Sequence, residues 1–184
     1  LRIMRKTTPL IKVKAYPLIE LVIVVVLLGI LAAVALPRYL NVTGKARTAI
    51  VSTTGGAFSS GLNVAKAQWE LANDEDSFVD INQDGRSLTK FNKRGYPIGI
   101  SADGISALSE IKDGGVSGND TCSQILHNIV KTSGVSIIPA DEAGKCSSGD
   151  FCAKATGENK CTYIYRKTKE KITYDANTGE VTYP

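Results

Sequence analysis

The sequence holds a single histidine, His127, and no arrangement that would put it to chemical use. Gly-x-Ser-x-Gly, a Gly-rich phosphate loop and an HExxH helix are all missing, and those spacings set up a nucleophile, cradle a phosphate or bind a metal. An enzyme is therefore the least supported class. Cysteine is sparse: Cys122, Cys146, Cys152 and Cys161 all lie in the last third. They form no pair of CxxC knuckles, which argues against zinc. Acid is absent before Tyr16, a stretch with Arg2, Arg5, Lys6, Lys12 and Lys14. The chain has 22 Lys+Arg against 18 Asp+Glu; without those five basic residues the balance falls from +4 to −1. The basic character belongs to the N-terminus, and no specific nucleic-acid partner is expected of the rest.

Charge is missing again from Leu21 to Leu36. Residues 16–36 as an α-helix are about 31 Å long, matching a hydrocarbon core of about 30 Å. The basic leader should stay cytoplasmic and the remainder face outward. A plain signal anchor explains the length and the flank but not Glu20, at the head of the run. An ionisable group within a membrane segment calls for a named partner. No basic residue lies in the run. A cut between Ala15 and Tyr16 would create an α-amine four residues before Glu20, and in parallel helices Glu20 could neutralise the Tyr16 amine of a neighbour.

Ala15-Tyr16-Pro17-Leu18-Ile19-Glu20, the basic leader, the apolar run with Gly29 and the closing Pro37 resemble the N-terminus of type IV pilins. The resemblance implies that a prepilin peptidase removes residues 1–15 and that Tyr16 is N-methylated. It also implies that Glu20 guides assembly into a helical homo-oligomer. Ala15, Tyr16 and Pro17 stand where the family usually has Gly, Phe and Thr. Pro17 suits a first helical turn, where its missing N–H has no acceptor anyway. Leu1 and Met4, the only methionine, are the alternative starts. Thr178-Gly179-x-Val181 and Gly95-Tyr96-Pro97-Ile98-Gly99 resemble the mannose-sensitive haemagglutinin branch.

Beyond Pro37, Val51, Thr54, Phe58, Leu62, Ala65, Trp69 and Ala72 follow the 3-4 spacing of one helix face. The helix is expected to continue to about Asn73, with Gly29, Pro37, Gly44 and Gly55-Gly56 as points of bending. Trp69 reads as core. Residues 73–99 read as a polar loop. Within it, Asp80, Asn82 and Asp84 with Gly85 have the opening spacing of a calcium loop, but Phe91 stands where an EF-hand needs Glu. A short structural calcium site, helped by Asp74 or Asp76, and a plain Asx-rich turn both fit; no other cofactor is suggested. A helix is expected from Asp120 or Thr121, capped there with Gln124 completing a capping box, to Gly134. Cys122 should face inward and His127 outward. Residues 161–166, 171–175 and 180–184 read as an antiparallel meander.

Four cysteines after a membrane segment suggest two disulfides in an oxidising compartment; two free pairs in a reducing cytosol are the alternative. Cys122–Cys161, tying helix to sheet, and Cys146–Cys152, closing a small loop, are the preferred pairing among three connectivities.

The expected fold class is α+β: a removed leader (1–15), an apolar membrane or filament-core helix (16–37) and its amphipathic continuation (38–73). A disulfide-containing head (74–184) with short helices and an antiparallel sheet follows. The resemblance implies a pilus subunit inserted in the inner membrane with its head in the periplasm, then extracellular. Its partners would be the peptidase, the inner-membrane assembly machinery and a host or abiotic surface, with adhesion as the main use and motility, aggregation or DNA uptake as others. A pseudopilin of a type II secretion system has the same N-terminus. A monomeric anchored binding protein leaves Glu20 unexplained. Asn41-Val42-Thr43 and Asn119-Asp120-Thr121 match sugar-acceptor triplets.

Overall fold

A computed structural model describes residues 18–72, 78–82, 88–101, 109–112, 116–131 and 134–184. The chain divides into two compact units, the first ending at Thr43 and the second spanning Gly44–Pro184. We call the second the head. Helix α1, Leu18–Ala72, belongs to both and ends within a residue of the expected point. It is helical through Gly29, Pro37, Gly44 and Gly55-Gly56. Pro37 brings no N–H, so the Ala33 carbonyl loses its partner four residues on.

In the head, Val51, Thr54, Phe58, Leu62 and Ala65 of α1 are buried as their spacing predicts. Ala72 is exposed, because the stripe ends one turn earlier. Trp69 is half-buried outside the main core, stacked on Phe91 at 6.4 Å between ring centroids.

The expected loop at 73–99 instead contributes three strands of a sheet. Strands β1 (Phe78–Val79), β2 (Leu88–Phe91), β3 (Pro97–Ser101) and β4 (Ser109–Glu110) form a four-stranded antiparallel sheet in that order. Lys90 on β2 pairs with Glu110 on β4. Asn92 organises the β2–β3 turn, its Oδ1 accepting from the N–H groups of Arg94 and Tyr96.

Helix α2 spans Val116–Val130, starting four residues before the expected cap. Asp120 and Thr121 therefore lie inside it. Thr121 Oγ1 donates back to the Ser117 carbonyl and Gln124 Nε2 donates to Asp120, so both side chains serve one-turn contacts rather than caps. Cys122, Ile125 and Leu126 are buried and His127 is exposed, as the helical spacing requires. Small residues let the helices approach: a Cβ on Gly61 of α1 would fall 2.5 Å from Ile129 of α2.

The main sheet has five strands in sequence order: β5 (Ile137–Pro139), β6 (Phe151–Gly157), β7 (Lys160–Tyr165), β8 (Lys171–Asp175) and β9 (Glu180–Thr182). The last three are the expected meander. The sheet is mixed rather than purely antiparallel, because β5 pairs parallel with β6. Alternation puts Phe151, Ala153, Cys161, Tyr163, Tyr165, Ile172 and Tyr174 on the buried face. There Phe58 meets Tyr163 and Tyr174 edge-on, at centroid separations of 5.7 and 5.3 Å. Burial pushes the Tyr163 and Tyr174 hydroxyls well above their usual range. Tyr174 donates to the Pro97 carbonyl, linking the two sheets.

Two disulfides close the head: Cys122–Cys161 from α2 to β7, and Cys146–Cys152 at the start of β6. This is the preferred pairing, and it leaves no free cysteine. Gly179, at φ +76 in the β8–β9 turn, has no room for a side chain, since a Cβ would fall 2.0 Å from the Tyr96 ring.

Candidate functional site: the exposed faces of helix α1

From Leu18 to Leu40 every described side chain is exposed, around the whole circumference of the helix. Twelve Leu, Ile and Val residues between Leu21 and Leu36 are 46–68% exposed. Burying one such side chain is worth about 1.5–3 kcal/mol, so this stretch has on the order of 20 kcal/mol to gain from an apolar surrounding. Its length and composition suffice to cross a membrane. Glu20, in the first turn of the described helix, is exposed as well. Ala15, Tyr16 and the leader lie outside the described residues.

The head portion of α1 has an exposed face that the sequence reading did not single out. Ile50, Thr53, Ala57, Ser60, Val64, Ala67 and Leu71 are all exposed and follow a 3-4 spacing. No charge interrupts them; Arg47, Lys66 and Glu70 fall on other faces. Leu71 is 85% and Val64 58% exposed. This stripe lies beside the buried one, about 100° round the helix, so the second half of α1 has two apolar or small faces rather than one apolar and one charged. The signal was present in the sequence as a second register of the same period, one residue ahead of the first.

Other sites expected from the sequence fare differently. Asp80 Oδ1 accepts from the Asn82 N–H at 3.1 Å, the local bond of an Asx turn. Asp74, Asp76, Asp84 and Gly85 lie outside the described residues. Among the described residues no three His, Cys, Asp or Glu side chains gather as metal ligands would. Asn119 is 4% exposed, with Nδ2 donating to the Ala140 carbonyl and Oδ1 accepting from the Ala155 N–H. Its amide holds α2 to the ends of β5 and β6 and is closed to sugar attachment in the folded head.

No family model matches the chain, and no solved structure matches it. Over 57 residues it is 42% identical to the type IV narrow pilus major component PilA5 of Thermus thermophilus, a stretch covering 31% of this chain and 49% of that protein. The chain thus spans about half the length of the curated relative it matches.

Proposed function

We propose that this chain is the structural subunit of a type IV pilus, used for surface attachment. The observation that carries the reading is a fully exposed apolar helix half joined in one chain to a head that has its own core and two disulfides. A segment of that kind gains stability only from a bilayer or from copies of itself, and a filament offers the second after the first. Similarity over 57 residues to a pilus component supports the same choice.

In this reading a peptidase cuts between Ala15 and Tyr16 and the Tyr16 amine is methylated. Glu20 of one subunit neutralises that amine on its neighbour as the helices bundle, with Gly29 and Pro37 as the bending points. The charge pair matters because an unpaired carboxylate in an apolar core costs several kcal/mol. The head faces the periplasm before assembly and the filament surface after it. A calcium ion on the Asp80, Asn82 and Asp84 loop would be structural there.

Intact mass and N-terminal sequencing of protein from a sheared cell-surface fraction test this. The expected species begins at N-methyl-Tyr16 and is lighter by the four hydrogens of two disulfides. An uncut chain confined to the inner membrane would overturn the reading. A cut chain confined to the periplasm would favour the secretion pseudopilin. Glu20→Ala should lower filament yield at least about tenfold, the rate equivalent of roughly 1.4 kcal/mol, while leaving membrane insertion and head melting unchanged. Normal filaments from that variant would remove the role of Glu20.

A further inference from the structure

Basic residues gather where the head begins. Lys45 and Arg47 are exposed on α1 and flank Thr48, whose hydroxyl donates to Glu170 Oε1 at 2.9 Å. That bond seats the β7–β8 turn against the helix. The turn and the start of β8 bring Arg166, Lys167, Lys169 and Lys171, of which the three lysines are exposed. Two acids, Glu170 and Asp150, lie among these six cations; Asp150 takes Lys167 at 3.4 Å. The group keeps a net charge of +4 in a head, Gly44–Pro184, that has 16 Lys+Arg against 17 Asp+Glu. The rest of the head is therefore acidic by five. Among the described head residues outside this group, nine Lys+Arg stand against nine Asp+Glu, so the excess positive charge of the described head lies in this group.

The turn itself points the same way. Lys169 sits at φ +66 with its N–H donating to the Tyr165 carbonyl at 2.8 Å. Glycine or asparagine relieves that conformation, so a lysine there is held against local preference.

We propose that this cluster docks on the anionic phospholipid headgroups of the bilayer that α1 crosses, holding the head at the membrane surface until assembly. The inference rests on the membrane-inserted precursor proposed above. Charge complementarity is one argument and the tether is the other. Thr48 follows Leu36, the end of the apolar run, by twelve residues of helix, or about 18 Å. Headgroups extend roughly 6 Å beyond the hydrocarbon, and charges act over a further 8–10 Å or so at physiological salt. Lys45, nine residues from Leu36 or about 14 Å, lies within that reach, and a helix tilt of about 30° brings the level of Thr48 down to about 16 Å. Each cation contributes about fivefold to the preference for an anionic over a neutral surface. The acidic remainder of a second head is the competing occupant.

The test reconstitutes the full chain into vesicles of phosphatidylcholine, alone or with one third phosphatidylglycerol. Lysines are then acylated briefly and quantified one by one by mass spectrometry. Lys45, Lys167, Lys169 and Lys171 should react at least about threefold more slowly on the anionic vesicles, with the difference gone in about 0.5 M salt. Lys93, exposed in the β2–β3 turn beside the far end of α1, should not change. Lys167→Glu with Lys169→Glu should restore fast reaction at Lys45 and Lys171. Equal rates on both vesicles, in a chain that resists carbonate extraction, would overturn the docking alone. A chain stripped by carbonate would overturn the membrane reading with it. Protection that appears on neutral vesicles and grows with protein density would assign the cluster to a second head instead.

Discussion

The two halves of helix α1 have opposite fates. Between Leu18 and Leu40 all described side chains are exposed, whereas from Val51 to Ala65 one stripe is fully covered by the head. Propensity does not separate them, because both halves are uninterrupted helix and the first contains the better core-forming residues. What separates them is pattern. The first half is apolar all round, and no single sheet can cover a full cylinder. The second half confines Phe58 and Leu62 to one side, where a sheet face about 10 Å away can meet them. A helix apolar all round needs a surrounding of many neighbours or lipid; a striped helix needs one partner, and this chain supplies it.

Substitutions should respect that division. Phe58→Ala removes the ring that meets Tyr163 and Tyr174, and should destabilise the head by about 3–5 kcal/mol. In detergent its Tm should fall by roughly 10 °C. Leu28→Ala, at a residue 59% exposed, should leave the head Tm unchanged. Equal losses from both would show that the apolar half supports the head directly.

The disulfides sharpen the same contrast. Cys122–Cys161 spans 39 residues and Cys146–Cys152 spans 6. Loop-closure entropy assigns about 4 kcal/mol to the first and about 2 kcal/mol to the second. Paired Cys→Ala variants compared by urea unfolding should keep that order. A larger loss from the short loop would mean that native-state contacts, not chain entropy, dominate.

Legibility in the sequence follows from how each element is stabilised. α1, α2 and the C-terminal meander could be read because local periodicity mirrors what they touch, whereas the disulfide pairing is one of three connectivities that the spacing leaves open. The first sheet could not be read. β1 and β4 are two residues each and exist through pairing with β2 and β3, which no local pattern encodes. β6 was missed for a related reason: Ala153, Lys154, Ala155 and Gly157 have weak strand preference, and its place between β5 and β7 creates the strand. The start of α2 was misplaced because Asp120 and Thr121 are common caps that here make one-turn contacts inside the helix. Glu20 is conspicuous as a charge at the head of an apolar run, whereas the exposed stripe from Ile50 to Leu71 is masked by the buried one beside it.

Acid should act on the head and spare the apolar half. Asp150 is held below its ordinary 3.8 chiefly by the Ser136 N–H, with help from Lys167 and against some burial. At Asp175 partial burial pulls upward, but Lys160 at 3.0 Å and the Asn177 N–H outweigh it, and the carboxyl is again lowered. A depressed folded value means stability that is present above 3.8 and lost as pH falls through the lowered values. Urea midpoints should be level from pH 7 to pH 5 and decline below pH 4. Asp150→Asn should lower the neutral plateau and flatten that decline.

The smallest expected effect lies at the centre of the head. Tyr163 is fully buried, and its hydroxyl has no hydrogen-bond partner among the described residues. Its ring is fixed by Phe58 on one side and by its place in β7 between β6 and β8. An unsatisfied buried hydroxyl costs about 1–3 kcal/mol, and its removal leaves the ring contacts in place. Tyr163→Phe should therefore be neutral or stabilise the head by up to about 1 kcal/mol, seen as an unchanged or raised urea midpoint. Tyr174→Phe is the matched control, since that hydroxyl donates to the Pro97 carbonyl at 2.9 Å and its loss should destabilise by about 1 kcal/mol. Two tyrosines on neighbouring strands, touching the same phenylalanine, should thus respond differently to one chemical change, with no loss at Tyr163 and a loss at Tyr174. A comparable loss at Tyr163 would mean that its hydroxyl has a partner in solution, such as a buried water, and that the covered half of the molecule is held by a polar centre as well as by its rings.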